Sequence, residues 1–308
     1  MNRIRNYIYT LILIIIIILL FKYSYIINKS VIDGFYLWLY KVFPSLFIMF
    51  ILNDIIINTN ILNNISKSIN PLFNRIFNTS NNSFEVFILS LFSGTPSSAF
   101  IIKEMLEKNK LDIGSANKLI SFTFFSNPLF LYNILSITFN KYITIKIILI
   151  HYLSNIIIGL LYRNKYNTIN INSNNNCKNN NILYILPNSI KKSINTLLMI
   201  LGTIIFYMII TNILLTIINL NNINIVLLKG LLEITQSLNM LNIINYKSII
   251  KEIIAISIIS FGGMSIHTQV LSLISNTNIS YKNFFIGRIL HVLTSTFTYI
   301  MCTIIFTS

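Results

Sequence analysis

Two short apolar stretches, residues 249–260 and 266–274, flank the run Phe261-Gly262-Gly263-Met264-Ser265-Ile266-His267-Thr268-Gln269. Each is far shorter than the roughly 20 residues that cross a hydrocarbon core, so neither spans alone. Backbone freed from helical pairing at membrane depth is tolerated only where protein buries it or where it lines a wet cavity. The run therefore predicts a re-entrant helical hairpin whose tip lies near the midplane; the plainer alternative is a kinked helix with a tightly packed Gly-Gly. Residues 84–92 and 100–106 repeat the form around Ser93-Gly94-Thr95-Pro96-Ser97-Ser98-Ala99. Setting Gly94 on Gly262 gives an offset of 168, which also places Ser97 on Ser265 and Asp112 on Ser280. Asp112 and Ser280 each precede a long helix and suit an N-cap. Paired broken segments in corresponding halves point to a transporter's binding site.

Composition sets the medium. Hydrophobic residues make up 54% and charged residues 10% of the 308, with mean hydropathy +0.71, values that exclude a water-soluble domain and require a polytopic α-helical protein in a lipid bilayer. The net charge of +15 comes from 23 basic residues dispersed among loops, not gathered on one face, which argues against nucleic acid as a partner. Cys177 and Cys302 fall at different expected depths, and His151, His267 and His291 lack i, i+4 spacing. No disulfide framework, metal site or resident cofactor is expected.

Along the chain, residues 7–27 read as a retained first helix and 35–57 as a second span kinked at Phe43-Pro44-Ser45. Residues 61–77, interrupted at Asn70-Pro71, read as an amphipathic segment on the interface. Lys103/Glu107 and Glu104/Lys108 are i, i+4 pairs suited to a solvated helix end. Residues 113–137 form a span broken at Ser126-Asn127-Pro128, because the residue before proline is pushed from the α region. After a span at 142–162 and an Asn-rich loop at 163–181 come a span at 194–220 and a segment at 225–241 that stands where 61–77 stood in the first half. That segment holds Glu233, the most isolated charge in the chain. An ionisable group at membrane depth marks a functional site by default. In the last span, 284–306, Arg288, His291, Ser295, Thr298 and Cys302 share one helical face, which should meet protein or a cavity.

The expected organisation is all-α: an extra N-terminal transmembrane helix at 1–30, a first repeat with its connecting helix at 31–163, a polar loop at 164–192 and a second repeat at 193–308. Each half carries a re-entrant hairpin followed by a transmembrane helix. Three full crossings between the hairpins make the repeat inverted, and the distribution of Lys and Arg favours an internal N-terminus.

Phe92-Ser93-Gly94-Thr95-Pro96, Ser126-Asn127-Pro128-Leu129-Phe130, Gly230-Leu231-Leu232-Glu233-Ile234-Thr235, the 261–269 run and Arg288-Ile289-Leu290-His291 closely resemble the YlbJ-type sporulation integral membrane proteins. That family carries the nucleoside-recognition or Gate domain, similar to the hairpin-and-helix core of concentrative nucleoside transporters. The resemblance implies a cell-membrane or forespore-membrane protein of endospore formation that moves a small anion such as dipicolinate, or a nucleoside-type solute, with Na+ or H+ as candidate coupling ions. A non-transporting assembly factor, partnered by other sporulation membrane proteins or a second copy, is the alternative. Gly263-Met264-Ser265 with His291 only faintly resembles an intramembrane serine protease, and no enzyme is expected. The candidate binding residues are Gly94, Thr95, Ser97 and Ser98 on the first tip; Asn127, Glu233 and Thr235; Gly262, Gly263, Ser265, His267 and Gln269 on the second; and Arg288 with His291.

Overall fold

A computed structural model describes residues 7, 10, 14, 17–59, 61–169 and 182–307. Residues 8, 9, 11–13, 15 and 16 of the expected first span, and the run around Cys177, lie outside the described residues. Within them all regular structure is helical.

Helix α1 (Ser24–Leu37) passes through a π-turn (Trp38–Val42) into α2 (Phe43–Thr59). The two arms bend by 52° between Val42 and Leu46, where Pro44 removes a helical hydrogen bond. The kink stands where the sequence puts it, but the loop expected between spans at 28–34 is helical. Its Ser30 accepts a hydrogen bond from Asn212 Nδ2 at 2.8 Å, on the long helix α9 (Ile182–Ile217). The indole of Trp38 donates to the Leu197 carbonyl of α9 at 3.0 Å. At 1.5 Å per residue α9 is about 54 Å long, well over the ~30 Å hydrocarbon core. It starts twelve residues before the expected 194, so 182–192 is helix and not part of the polar loop.

Helix α3 (Asn63–Phe77) runs unbroken through Pro71, against the interruption expected there. Ser66 Oγ donates to Glu85 Oε1 at 2.9 Å and Asn70 Oδ1 accepts from Phe84 N at 3.3 Å, so these polar groups are spent on the next helix.

Helices α4 (Ser83–Ser93) and α5 (Ser97–Glu107) fold back on each other. Helices α6 (Ile113–Phe122) and α7 (Pro128–Leu135) do not; the five residues 123–127 between them are non-helical and form a break. Asp112 caps α6 through Ser115 N at 3.0 Å, as its position predicts. The span α8 (Lys141–Leu161) follows.

In the second half α10 (Asn222–Leu232) and α11 (Ile234–Met240) fold back at Glu233. Ser237 Oγ donates to the Val226 carbonyl at 2.7 Å, a contact that a continuous helix over eleven residues forbids. By contrast α12 (Ser248–Phe261) and α13 (Gly263–Ile274) make no such contact and together form one 27-residue apolar span interrupted at Gly262. The hairpin expected at 249–274 is therefore at 222–240. The span α14 (Tyr281–Thr307) closes the chain.

The order of folded-back pair, interrupted helix and long helix thus occurs twice. Ser83 and Asn222 stand 139 residues apart, Ile113 and Ser248 135, and Lys141 and Tyr281 140. The offset of 168, by contrast, sets the turn at Gly94 on the break at Gly262 within one span. Two apolar stretches around a glycine pair look alike in sequence whether the chain turns back or runs on.

Candidate binding cavity

The first folded-back pair turns at Gly94, with φ +75° and ψ −175°, a region essentially reserved for glycine. A Cβ there would lie 2.4 Å from Asn127 N, so the tip rests directly on the break between α6 and α7. Thr95 binds the break twice, donating from N at 2.7 Å and from Oγ1 at 2.8 Å to the Phe125 carbonyl. The neighbouring carbonyls are served by α8: Asn155 Nδ2 reaches Phe124 O at 2.6 Å and Tyr152 Oη reaches Ser126 O at 2.8 Å. His151 Nε2 accepts from Ser126 N at 3.2 Å. Asn127 Oδ1 caps α7 by accepting from Leu129 N and Phe130 N at 3.0 and 3.1 Å, while its Nδ2 donates to Phe92 O at 3.3 Å. Unwound backbone at this depth is stable because each of these groups has a protein partner.

The second break is the single residue between α12 and α13. Gly262, at φ +90°, presses on the Phe124 ring, where a Cβ would meet Cζ at 2.4 Å. Glu233, 3% exposed, caps α11 by accepting from Thr235 N at 2.8 Å and Thr235 Oγ1 at 2.6 Å. No lysine, arginine or histidine forms an ion pair with it among the described residues.

Between these parts lies a cavity of about 60 Å³, room for about four waters. Its polar wall is Thr95, Ser126, Asn127, Glu233, Thr235 and Gln269, and its apolar wall includes Val42 of the π-turn and Leu46 of α2 with Ile200 and Ile204 of α9. Gln269 Nε2 donates to Thr203 Oγ1 at 2.9 Å and to Ser265 Oγ at 3.2 Å. A single buried carboxylate among amides and hydroxyls suits a cation or a neutral hydrogen-bonding solute; nothing in the lining offers a positive side chain to a free anion.

Five of the expected residues, Thr95, Asn127, Glu233, Thr235 and Gln269, meet at this cavity. The others do not line it. Gly94 and Gly262 shape the contacts behind it, Ser97 and Ser98 are buried at the start of α5, and Gly263 lies against the Gly230 and Leu232 carbonyls. His267 is committed elsewhere: Nε2 donates to the Phe261 carbonyl at 3.1 Å, so Nδ1 accepts from Tyr281 Oη at 2.8 Å. Arg288 is fully buried, donating to His291 Nδ1 at 2.7 Å and Ser121 O at 2.6 Å, with its guanidinium 4.0 Å from the Phe124 ring centre. It is not the partner of Glu233. His291 Nε2 donates to the His151 carbonyl at 2.9 Å, and Ser295 bonds Ser260 at 2.8 Å. The polar face of α14 is thus a seam that braces both interrupted helices from behind. Sequence reading missed His151, Tyr152 and Asn155, although polar groups in the middle of the apolar span α8 are a signal in themselves.

Helices long and apolar enough to cross a bilayer number four among the described residues, or five with the bent α1–α2 pair. Together with the helix breaks gathered beside one shared cavity, they define the class: a polytopic α-helical integral membrane protein. Among curated proteins the chain is similar to the sporulation integral membrane protein YlbJ of Bacillus subtilis (strain 168), 28% identical over 297 residues, covering 83% of this chain and 72% of the relative. The match bears out, over most of the chain, the resemblance to YlbJ-type proteins carried by the motifs above. No protein-family model and no solved structure matches the chain.

Proposed function

We propose that the chain is a permease for a small polar solute, acting, as the name of its Bacillus relative suggests, in the membranes of sporulating cells. The observation that carries this reading is convergence: both folded-back tips, the break between α6 and α7 and the Gln269 side of α13 meet at one cavity beside a buried carboxylate. An odd number of crossings, the interrupted helix α6–α7, α8 and α9, separates the two folded-back pairs. The pairs are then re-entrant hairpins entering from opposite sides, an inverted repeat of the kind that supports alternating access. The cavity as it stands is too small for a nucleoside or a pyridine dicarboxylate, so either would enter only as a hairpin withdraws. A dianion such as dipicolinate would further require Glu233 to be protonated or accompanied by Na+, because a bare carboxylate repels it. A neutral nucleoside-type solute meets no such obstacle.

Uptake of radiolabelled uridine and of radiolabelled dipicolinate into proteoliposomes, with and without Na+ and across pH, tests the reading. Saturable uptake of either, abolished by Glu233→Ala in correctly folded protein, is the expected result. Absence of flux for both, in protein whose Glu233→Ala variant folds and unfolds like the parent, would leave the assembly-factor role in its place.

A further inference from the structure

At one end of α2, α5 and α9 a second and roomier cavity, about 380 Å³, is walled by Asp54, Asn58, Tyr184, Asn188, Lys191 and Lys192. Its two nearby carboxylates are already engaged. Asp54 Oδ2 accepts from Ser189 Oγ at 2.6 Å and Oδ1 from Lys192 Nζ at 3.4 Å. Glu104 holds Lys192 with both oxygens at 3.1 Å and Lys108 at 3.1 Å. Lys108 also reaches Asn58 Oδ1 at 2.9 Å, and Lys110 Nζ the Ile57 carbonyl at 2.6 Å. Three lysines, 108, 191 and 192, therefore stand by two carboxylates, an excess of one positive charge. The uncommitted group is Lys191, which forms no ion pair among the described residues. It opens on the cavity beside the Asn188 side chain, and Lys192, 44% exposed, stands next to it.

The length of α9 bears on where this cavity lies. α9 outreaches the hydrocarbon core by about 24 Å, and an overhang shared between its two ends leaves about 12 Å at each, which brings Lys191 and Lys192, the tenth and eleventh residues of the helix, to the boundary between membrane and water. Cations there meet phosphates and carboxylates, whether on lipid headgroups or free in solution.

We infer that this cavity is a binding site for a phosphate- or carboxylate-bearing group, held by Lys191 and Lys192 with the Asn188 amide. The inference stands apart from transport through the central cavity. Occupancy would draw Lys192 from Glu104 and so loosen the tie between α5 of the first folded-back pair and the α2–α9 frame.

Two arms test it on the full chain. Thermal unfolding in detergent is followed with inorganic phosphate or with chloride at equal ionic strength, and native mass spectrometry counts lipids retained from nanodiscs of phosphatidylglycerol or of phosphatidylcholine. Stabilisation by phosphate above chloride assigns a soluble anion, and selective retention of phosphatidylglycerol assigns a lipid headgroup; either supports the site. Lys191→Gln, which breaks no ion pair, is expected to weaken the supported binding about tenfold, and Lys191→Arg to preserve it. No anion preference in either arm, or a preference unchanged in Lys191→Gln, overturns the inference.

Discussion

Gly94 has the narrowest tolerance of any residue around the central cavity. An alanine there would carry both the strain of φ +75° and a Cβ 2.4 Å from the backbone of Asn127. Gly94→Ala is expected to cost about 2 kcal/mol or more, read as a lower midpoint of thermal unfolding. Asn127→Ala removes a cap and leaves the Phe92 carbonyl without its donor, a loss of about 1–3 kcal/mol. Glu233→Gln keeps an oxygen to accept from Thr235 and should leave stability within about 1 kcal/mol, while removing whatever dependence on pH or Na+ the flux shows. At this scale much was legible. Asp112, Asn127 and Glu233 announce themselves because a lone polar residue at a helix start or in an apolar run has few other reasons to be there. The commitments of His267 and Arg288 were not legible, since Tyr281, Ser121 and Phe124 are brought to them only by tertiary packing. Nor was the burial of Glu104: its i, i+4 bond to Lys108 forms as read, but Lys192, 88 residues away, makes it part of a network.

Among the elements, the helices themselves follow from apolar runs and caps, whereas which broken pair folds back does not. The Gly262-Gly263 joint and the Leu232-Glu233 joint both separate short apolar helices; what distinguishes them is that Ser237 can reach Val226 while α12 and α13 stay in line. Single cysteines in a background with Cys177 and Cys302 replaced by serine give the check. A membrane-impermeant maleimide should reach positions 222 and 242 from the same side, and positions 248 and 275 from opposite sides. Labelling of 248 and 275 from one side would restore the hairpin at Gly262.

For the whole molecule, the proposed inversion makes a further demand: cysteines at 81 and 109, beyond the ends of the first folded-back pair, should label from the side opposite to 222 and 242. Labelling from the same side would remove alternating access as a description. Such experiments need a sign that each variant is still assembled, and the fold supplies one. Trp38 is the chain's one tryptophan, 6% exposed, and its indole N–H is spent on the Leu197 carbonyl of α9. Every photon of indole emission therefore comes from the joint between the bent α1–α2 arm and the longest helix. Parting of that joint exposes the ring to water, so the emission maximum should move to longer wavelength as α9 comes free, with no label attached.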